Sequence, residues 1–167
     1  MKIGRLRLTC APPLSHFEVS DQVHVVLRVV MSSASDCIRQ AAAIPVRGGR
    51  VCLVTSSSGT RWVVPKGHFE PDKTAGQIAL QEAWEEAGLV GVLRPEPVGS
   101  YLYSKFNNLY HVIVFVMEVT EAAEEWPEEA LRRRVWLDPA EAQARVQEKG
   151  LQELIRVATG ARAFSEP

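Results

Sequence analysis

The sequence has no long hydrophobic run: no stretch reaches the roughly 18 uninterrupted apolar residues of a membrane-spanning helix. It also has almost no net charge, with 19 basic and 20 acidic side chains among 167 residues. We therefore expect neither a membrane nor a nucleic acid as partner, because electrostatic binding to either needs an excess of basic charge. The N-terminus lacks the apolar segment of a signal peptide, which predicts a cytoplasmic protein.

Cysteine is scarce and unpatterned. Cys10, Cys37 and Cys52 are odd in number and lack the C-x-x-C spacing of zinc sites. They predict thiols in a reducing compartment rather than a disulfide framework. With 46% hydrophobic and 23% charged residues, the composition is that of an ordinary globular domain, and the chain is long enough for one substantial core.

Three parts of the chain are distinguished. Residues 1–36 are interpreted as an N-terminal extension, residues 37–160 as one domain and residues 161–167 as a C-terminal tail. Within the extension, Val23–Val30 is rich in β-branched residues and is either an added strand or part of a poorly ordered segment. In the second alternative the native start is Met31, and the sequence does not decide between them.

One stretch, from Trp62 to Leu89, carries most of the functional information. Its C-terminal half predicts a helix, because Thr74 with Gln77 three residues later forms a capping-box pair and Gly88 stands where a helix ends. Residues at helical spacing predict one packed face of this helix. These residues are Gly76, Leu80, Ala83, Trp84 and Ala87.

Three carboxylates converge on the opposite face of the helix. Glu82, Glu85 and Glu86 are spaced at i, i+3 and i+4, and their repulsion costs only about 0.2–0.5 kcal/mol per exposed pair. The spacing alone is therefore compatible with a solvated acidic face. Before the helix, Trp62–Val64 predicts a buried strand and Lys66–His68 a basic loop. Carboxylates beside cations are what a site for a divalent ion and a polyphosphate requires.

The stretch resembles the signature of the Nudix hydrolases, G-x5-E-x7-R-E-U-x-E-E-x-G-U with U aliphatic. The matching residues are Gly67, Glu82, Glu85, Glu86, Gly88 and Leu89, with Ala83 at an aliphatic position. Two positions depart from the signature, since Lys73 replaces the first glutamate and Gln81 the arginine. In the family these two groups help to orient the catalytic loop and helix. Because both charges are replaced together, we expect a Lys73–Gln81 contact to substitute for the pair.

The resemblance implies an α/β fold, the Nudix α/β/α sandwich with a mixed β-sheet. It implies that Glu82, Glu85 and Glu86, with the Lys66 carbonyl, bind one or more Mg²⁺ ions, with Mn²⁺ as an alternative. The ion would activate a water for attack on a phosphorus of a diphosphate, and one glutamate would take the proton. We assign that last role to Glu85 in preference to its neighbours.

Five basic residues are candidates for binding the remaining phosphates of a substrate: Arg39, Lys66, His68, Lys105 and His111. Each also has a structural interpretation. Arg39 would be an edge-strand charge and Lys105 a loop charge. His68 would hydrogen-bond the loop backbone and His111 would be half buried in a strand, which is the commoner role of a lone histidine.

The second half of the chain supplies an acidic segment and an arginine cluster. Arg132, Arg133 and Arg134 follow the glutamates of residues 121–129, and we expect them to pair with those glutamates rather than with a substrate. Trp126, within the acidic segment, either stacks on a base or covers the loop. Trp62 and Trp84 are assigned to packing.

The order of predicted elements is β, β, β, helix, β, β, β, helix, which fits a mixed sheet with helices on both faces. Gly91–Pro97 is interpreted as the connection after the signature helix. Asp138 is the expected N-cap of the last helix, which Gly160 ends.

Two subgroups of the family are models for the substrate. Residues 38–157 resemble the diphosphoinositol polyphosphate phosphohydrolases through Val116–Glu121, Glu124–Trp126 and the arginine cluster. The Pro65–Pro71 loop instead resembles the diadenosine tetraphosphate hydrolases, because Lys66 stands where the first group usually has glycine. The leading hypothesis is a pyrophosphohydrolase acting on a small phosphorylated substrate of one of these two kinds.

The alternative is a catalytically weak Nudix-like domain that binds or senses a nucleotide without cleaving it. Its motivation is the joint departure at Lys73 and Gln81. Removal of oxidised nucleotides is a third hypothesis, but it needs a base-selective pocket for which the sequence shows no feature. We expect a monomer or a homodimer.

Overall fold

The computed structural model describes residues 37–160, which form eight strands and three helices. The strands are β1 (Ile38–Arg47), β2 (Arg50–Thr55), β3 (Trp62–Val63), β4 (Lys66–His68), β5 (Leu89–Leu93), β6 (Gly99–Lys105), β7 (Asn108–Ala122) and β8 (Arg134–Leu137). The helices are α1 (Ala75–Ala87), α2 (Pro139–Arg145) and α3 (Lys149–Gly160). The predicted extension, with its Val23–Val30 strand, and the predicted tail lie outside the described residues. None of the three described helices is long and apolar enough to cross a membrane.

The eight strands belong to one mixed sheet. Its main path runs β3-β2-β1-β7-β5, while β4 adds to β1, β6 to β7 and β8 to β2. β1 and β7 run parallel, with Ile38 opposite Tyr110 at one end and Val46 opposite Glu118 at the other. The other paired strands are antiparallel. β1 is central to the functional region, because it pairs with β7 at the centre of the sheet and also with β4, the strand that contains Lys66.

Strand alternation divides the core into two layers. In β1, Ala42 and Ile44 belong to the layer that contains buried residues of α2 and α3. Ala41 and Ala43 belong to the other layer, which contains buried residues of α1. Helices therefore cover both faces of the sheet, and the predicted α/β/α sandwich with a mixed sheet is confirmed.

Both ends of α1 are as the sequence predicts. The Gln77 N–H donates to the Thr74 hydroxyl at 3.2 Å, and the Thr74 N–H donates to the Gln77 side-chain oxygen at 2.8 Å. Gly88 is left-handed, with φ 63° and ψ 33°, and its N–H donates to the Trp84 carbonyl at 2.8 Å. These contacts satisfy backbone groups that a helix end would otherwise leave unpaired.

The packed face of α1 differs from the predicted one. Ala83 and Ala87 are buried as predicted, but Trp84 is 40% exposed and Glu86 is only 4% exposed. Ile78 takes a fully buried position instead. The packed face of α1 consists largely of small side chains, Ala79, Ala83 and Ala87, which permit a close approach to the sheet. Consequently one signature carboxylate is turned toward the sheet.

Three other segments differ from the prediction. Lys66–His68, predicted as a loop, is a strand paired with β1. The predicted connection from Gly91 overlaps β5, which pairs with β7 through a register shift after Val90. The last helix is divided at Val146, whose backbone is extended and whose side chain is buried in the core. In each case tertiary pairing or burial overrides the local pattern.

Gly88 gives a test of the helix end. A Cβ at this position would lie 2.8 Å from the Trp126 Cβ, and the left-handed conformation is itself unfavourable for other residues. We expect Gly88→Ala to lower the free energy of unfolding by about 2 kcal/mol, measured by urea denaturation. Gly160→Ala is the control, because a Cβ there meets no atom within 4 Å. Equal urea midpoints for the two variants would contradict this account.

Candidate functional site

The site forms where β4 meets the side of α1. The Lys66 backbone N–H donates to a carboxylate oxygen of Glu86 at 3.2 Å. Gly67 lies directly against Glu82, because a Cβ at position 67 would overlap the Glu82 carboxylate. Only glycine leaves this space, which explains the signature residue in physical terms. The structure thus brings two of the three predicted glutamates to the predicted basic segment.

Glu86 is held by an arginine that the sequence assigned elsewhere. Arg132 forms an ion pair with Glu86 and also donates to Glu128 at 2.7 Å and to the Thr55 carbonyl at 2.9 Å. The expected pairing with the acidic segment is therefore only part of its role. Burial raises the pKa of Glu86, although the positive charges of Lys66 and Arg132 act in the opposite direction. A carboxylate buried to this extent needs such partners.

Glu82 lies in surroundings that disfavour its negatively charged form. Burial raises the pKa of Glu82 to about 7, and the charges of Glu86, Glu85 and Glu128 add to the increase. Burial also lowers the pKa of Lys66, against the effect of Glu86. The carboxylates are therefore crowded in a partly desolvated place, where a cation would be stabilised.

Glu85, the predicted proton acceptor, is turned into a polar network outside the pocket. The Gln81 amide donates to Glu85 at 3.0 Å, and the Lys73 ammonium donates to the Gln81 side-chain oxygen at 2.6 Å. Lys73 also donates to Glu70 at 2.6 Å. The expected Lys73–Gln81 contact is confirmed, and it links both departures from the signature to Glu85. We call these four residues the Lys73 network.

The carboxylate oxygens of the three glutamates suit a divalent ion chemically, but the three side chains are not arranged around one point. Within residues 37–160, no three His, Cys, Asp or Glu side chains are grouped as a metal cluster. Glu82 and Glu86 nevertheless offer oxygen atoms of the kind that Mg²⁺ prefers. The pKa of Glu82 is raised by burial and then by neighbouring carboxylates, whose charge a cation would offset. Glu85 would have to leave Gln81 to join them. The three-glutamate ligand set therefore stays a prediction.

A pocket of about 290 Å³ opens in front of Glu82 and Glu86. Its basic lining side chains outnumber these two acidic ones, and they are Arg61, Lys66, Lys105 and Arg132. His68 also lines it. Three of the five basic residues singled out in the sequence are thus at the pocket. Its excess of positive charge suits an anion with several phosphates.

Arg39 and His111 do not line the pocket. They lie opposite each other in register on β1 and β7. The Arg39 guanidinium carbon is 4.4 Å from the centroid of the Phe69 ring. Strand alternation places both on the sheet face away from Gln40 and Tyr110, which do line the pocket. The structure gives no support to their expected contact with phosphate.

One pocket wall was not predicted, and it consists of Gln40 and two tyrosines. The Tyr103 hydroxyl donates to the Gln40 side-chain oxygen at 2.8 Å. The Tyr103 and Tyr110 rings stack with centroids 4.7 Å apart and planes 9° apart. Burial raises the pKa of Tyr103 to about 12, so its hydroxyl stays protonated and can donate. Strand alternation could have found this wall once the pairing of β6 with β7 was known.

Arg61, also missed, is positioned by the break between α2 and α3. Its guanidinium donates to Glu148 at 2.9 Å, across 87 residues of sequence. The second carboxylate oxygen of Glu148 is buried without a hydrogen-bond partner among the described residues. The Arg61 carbonyl accepts from the Ser56 N–H at 2.7 Å, which closes the loop after β2. Nothing local in the sequence indicates these contacts.

Trp126 covers the C-terminal end of α1 rather than the pocket. Its indole N–H donates to the Glu86 carbonyl at 3.2 Å, and the Arg134 guanidinium carbon lies 4.5 Å from its ring centroid. Arg134 also donates to the Ala87 carbonyl at 2.6 Å. Of the two interpretations of Trp126, the structure supports the covering role.

Known proteins share both sequence and fold with this chain. "Nudix hydrolase 12, mitochondrial" from Arabidopsis thaliana is 35% identical over 119 residues, with 64% of this chain and 59% of the relative covered. Diphosphoinositol polyphosphate phosphohydrolase 3-beta from Bos taurus is 34% identical over 110 residues, with 62% of this chain and 66% of the relative covered. The chain thus spans less than two thirds of the length of these curated relatives.

Among solved structures, the Ap4A hydrolase of C. elegans superposes with a TM-score of 0.62 at 16% identity, covering 75% of this chain and 98% of that one. A Nudix hydrolase from Nitrosomonas europaea gives a TM-score of 0.62 at 21% identity, covering 75% and 90%. At such identities the likeness concerns the fold. The model of the NUDIX domain family matches residues 38–157, which include every residue of the site described above. The chain therefore belongs to the NUDIX domain family.

Proposed function

We propose that this protein is a Mg²⁺-dependent pyrophosphohydrolase that cleaves a diphosphate linkage in a small nucleotide-type substrate. The substrate is a dinucleoside polyphosphate or a diphosphoinositol polyphosphate, the classes named in two of its relatives. The observation that carries the proposal is the position of Glu82 and Glu86 against the Lys66–Gly67 segment, at a pocket with excess basic charge. Acidic metal ligands beside phosphate-binding cations are the parts that such hydrolysis needs.

The chemistry divides between two groups of residues. Glu82 and Glu86, joined by Glu85 and the Lys66 carbonyl, would hold the divalent ion, for which Mn²⁺ is an alternative. When bound, the ion supplies activation of water and neutralisation of phosphate charge. Glu85 accepts the proton, once it has exchanged its Gln81 contact for the pocket.

The phosphate chain is bound by the basic lining of the pocket. Arg61 and Arg132 present planar guanidinium groups that can contact two phosphate oxygens at once, and Lys66 and Lys105 add point charges. His68 also lines the pocket. Arg39 and His111 have no part in this proposal, because they lie outside the pocket.

We further propose that residues 37–160 are the catalytic domain, with residues 1–36 and 161–167 as extension and tail, and that the working unit is a monomer or a homodimer. The proposed location is the cytoplasm. The name of the Arabidopsis relative carries a mitochondrial location, so cell fractionation with an antibody to the chain is the direct test.

The Lys73 network supports a second candidate function. It holds Glu85 away from the pocket through Gln81, at a position where the family signature has arginine. A domain fixed in this arrangement would bind a nucleotide without cleaving it. Calorimetric binding of an intact ligand with no metal-dependent product would support this alternative.

The first test of the proposal is a metal-dependent substrate screen. Diadenosine polyphosphates, inositol pyrophosphates, ADP-ribose and nucleotide sugars are incubated with the protein and Mg²⁺, and released phosphate or nucleotide is measured. We expect Glu85→Gln and Glu86→Gln to lower turnover by about 10²–10⁴-fold, because they remove the proton acceptor and a metal ligand. A chelator should have the same effect as the variants.

Glu96→Gln is the matched control for that screen, because Glu96 is exposed in the connection between β5 and β6. It should keep full activity. Undiminished turnover in both signature variants would eliminate the proposed mechanism.

The second test concerns the Lys73 network. We expect Lys73→Met to lower kcat by about 10–100-fold with little change in KM, because it removes the contact that orients the loop at Glu70 against the helix at Gln81 and removes no substrate contact. The double variant Lys73→Glu with Gln81→Arg restores the residue types of the signature and should regain turnover. Lys149→Met, at an exposed helix position, is the control. A Lys73→Met enzyme with unchanged kcat would refute this role.

A further inference from the structure

The turn between β6 and β7 carries an aromatic residue in an unfavourable backbone conformation. Phe106 has φ 50° and Asn107 has φ 62°, and they connect the paired residues Lys105 and Asn108. Both central residues of such a two-residue turn need positive φ, which is why asparagine followed by glycine is favoured there. A bulky side chain at positive φ is a genuine outlier.

Burial of the Phe106 side chain does not offset the energetic cost of its positive φ. Phe106 is 84% exposed, more than any other large hydrophobic side chain in the described part of the chain. Its ring is in contact range of the Lys105 ammonium, which lies 5.0 Å from the ring centroid. Strained positions that are not explained by packing cluster at functional sites. Because packing does not explain the strain, Phe106 is a candidate for a functional role at the protein surface.

Lys105 connects this ring to the pocket. Lys105 lines the pocket, and so do Tyr103 and Tyr110, the cross-strand pair further along the same hairpin. The hairpin thus offers a stacked tyrosine pair, a cation and then an exposed ring, in that order toward its tip. Arg61 and Arg132 line the same pocket, together with the two glutamates. A ligand that follows this order has phosphates inside and a planar aromatic group at the rim.

We propose that Phe106 is the stacking surface for the nucleobase of a nucleotide-type substrate whose phosphates lie among the basic side chains. The inference rests on the proposed function and narrows it to a nucleoside polyphosphate, because an inositol ring has no planar aromatic face. Stacking on an exposed ring tolerates any base. Lys105 lines the pocket and lies 5.0 Å from the Phe106 ring centroid, so its charge links the phosphate region to the stacking surface.

The test compares two ligands that differ by the nucleoside alone: adenosine triphosphate and inorganic tripolyphosphate. Binding of each to the full chain is measured by calorimetry with Mg²⁺, in a Glu85→Gln background so that neither is cleaved. We expect Phe106→Ala to weaken binding of the nucleotide about tenfold and to leave tripolyphosphate unchanged. Phe106→Trp should retain nucleotide binding, because it keeps a stacking face.

A second pair of variants separates stacking from strain. Phe106→Gly should raise the urea midpoint, because glycine adopts positive φ without cost, and should weaken nucleotide binding as Phe106→Ala does. Asn107→Gly also relieves the turn but keeps the ring, so it should raise the midpoint with no effect on binding. If Phe106 had only a structural role, Phe106→Gly would lower the urea midpoint and nucleotide binding together.

The outcomes distinguish this inference from the proposed hydrolase. Equal weakening of both ligands, no weakening of the nucleotide, or absence of nucleotide binding in the chain with Phe106 intact would each overturn the stacking role. If nucleotide binding depends on Phe106 but no substrate is cleaved by the wild type, the stacking role stands and the hydrolase fails. If the wild type cleaves a substrate but Phe106→Ala weakens binding of both ligands equally or of neither, the hydrolase stands and the stacking role fails.

Discussion

The hydrogen bond from the Lys66 N–H to the Glu86 carboxylate joins α1 to β4, and the site depends on this contact. β4 is in turn held by its pairing with β1. The Glu86 side chain of α1 is therefore positioned directly against the central sheet. The close approach is possible because Gly67 has no side chain where Glu82 lies. Acidic and basic groups that are distant in any extended chain thereby meet at one place.

This arrangement has an electrostatic cost. Glu86 is buried beside Glu82, and burial raises the pKa values of both carboxyl groups. Arg132 compensates Glu86 by its ion pair, whereas the pKa of Glu82 stays raised although Arg132 acts to lower it. Burying like charges together lowers stability, and folds retain such places where binding or catalysis uses them. A divalent cation would neutralise the crowded carboxylates, and a polyphosphate would neutralise the basic side chains that line the pocket.

Sequence reasoning succeeded where the governing contacts are local. The capping box at Thr74, the helix end at Gly88 and the Lys73–Gln81 contact all lie within a few helical turns. It failed where partners are distant: Arg132 reaches Glu86 across 46 residues and Arg61 reaches Glu148 across 87. It also placed Trp84 rather than Glu86 on the packed face, since the partner that binds Glu86 at the sheet, the Lys66 N–H, lies 20 residues away on another element.

The central claim, that Glu82 and Glu86 form one cation site beside β4, is tested most directly by Mn²⁺ binding. Electron paramagnetic resonance follows free Mn²⁺ as the full chain is added, for the wild type and for the Glu82→Gln and Glu86→Gln variants. The account predicts that the wild type removes the free-ion signal and that either variant binds at least about tenfold more weakly. Equal binding by all three proteins, or no binding by the wild type, would contradict it.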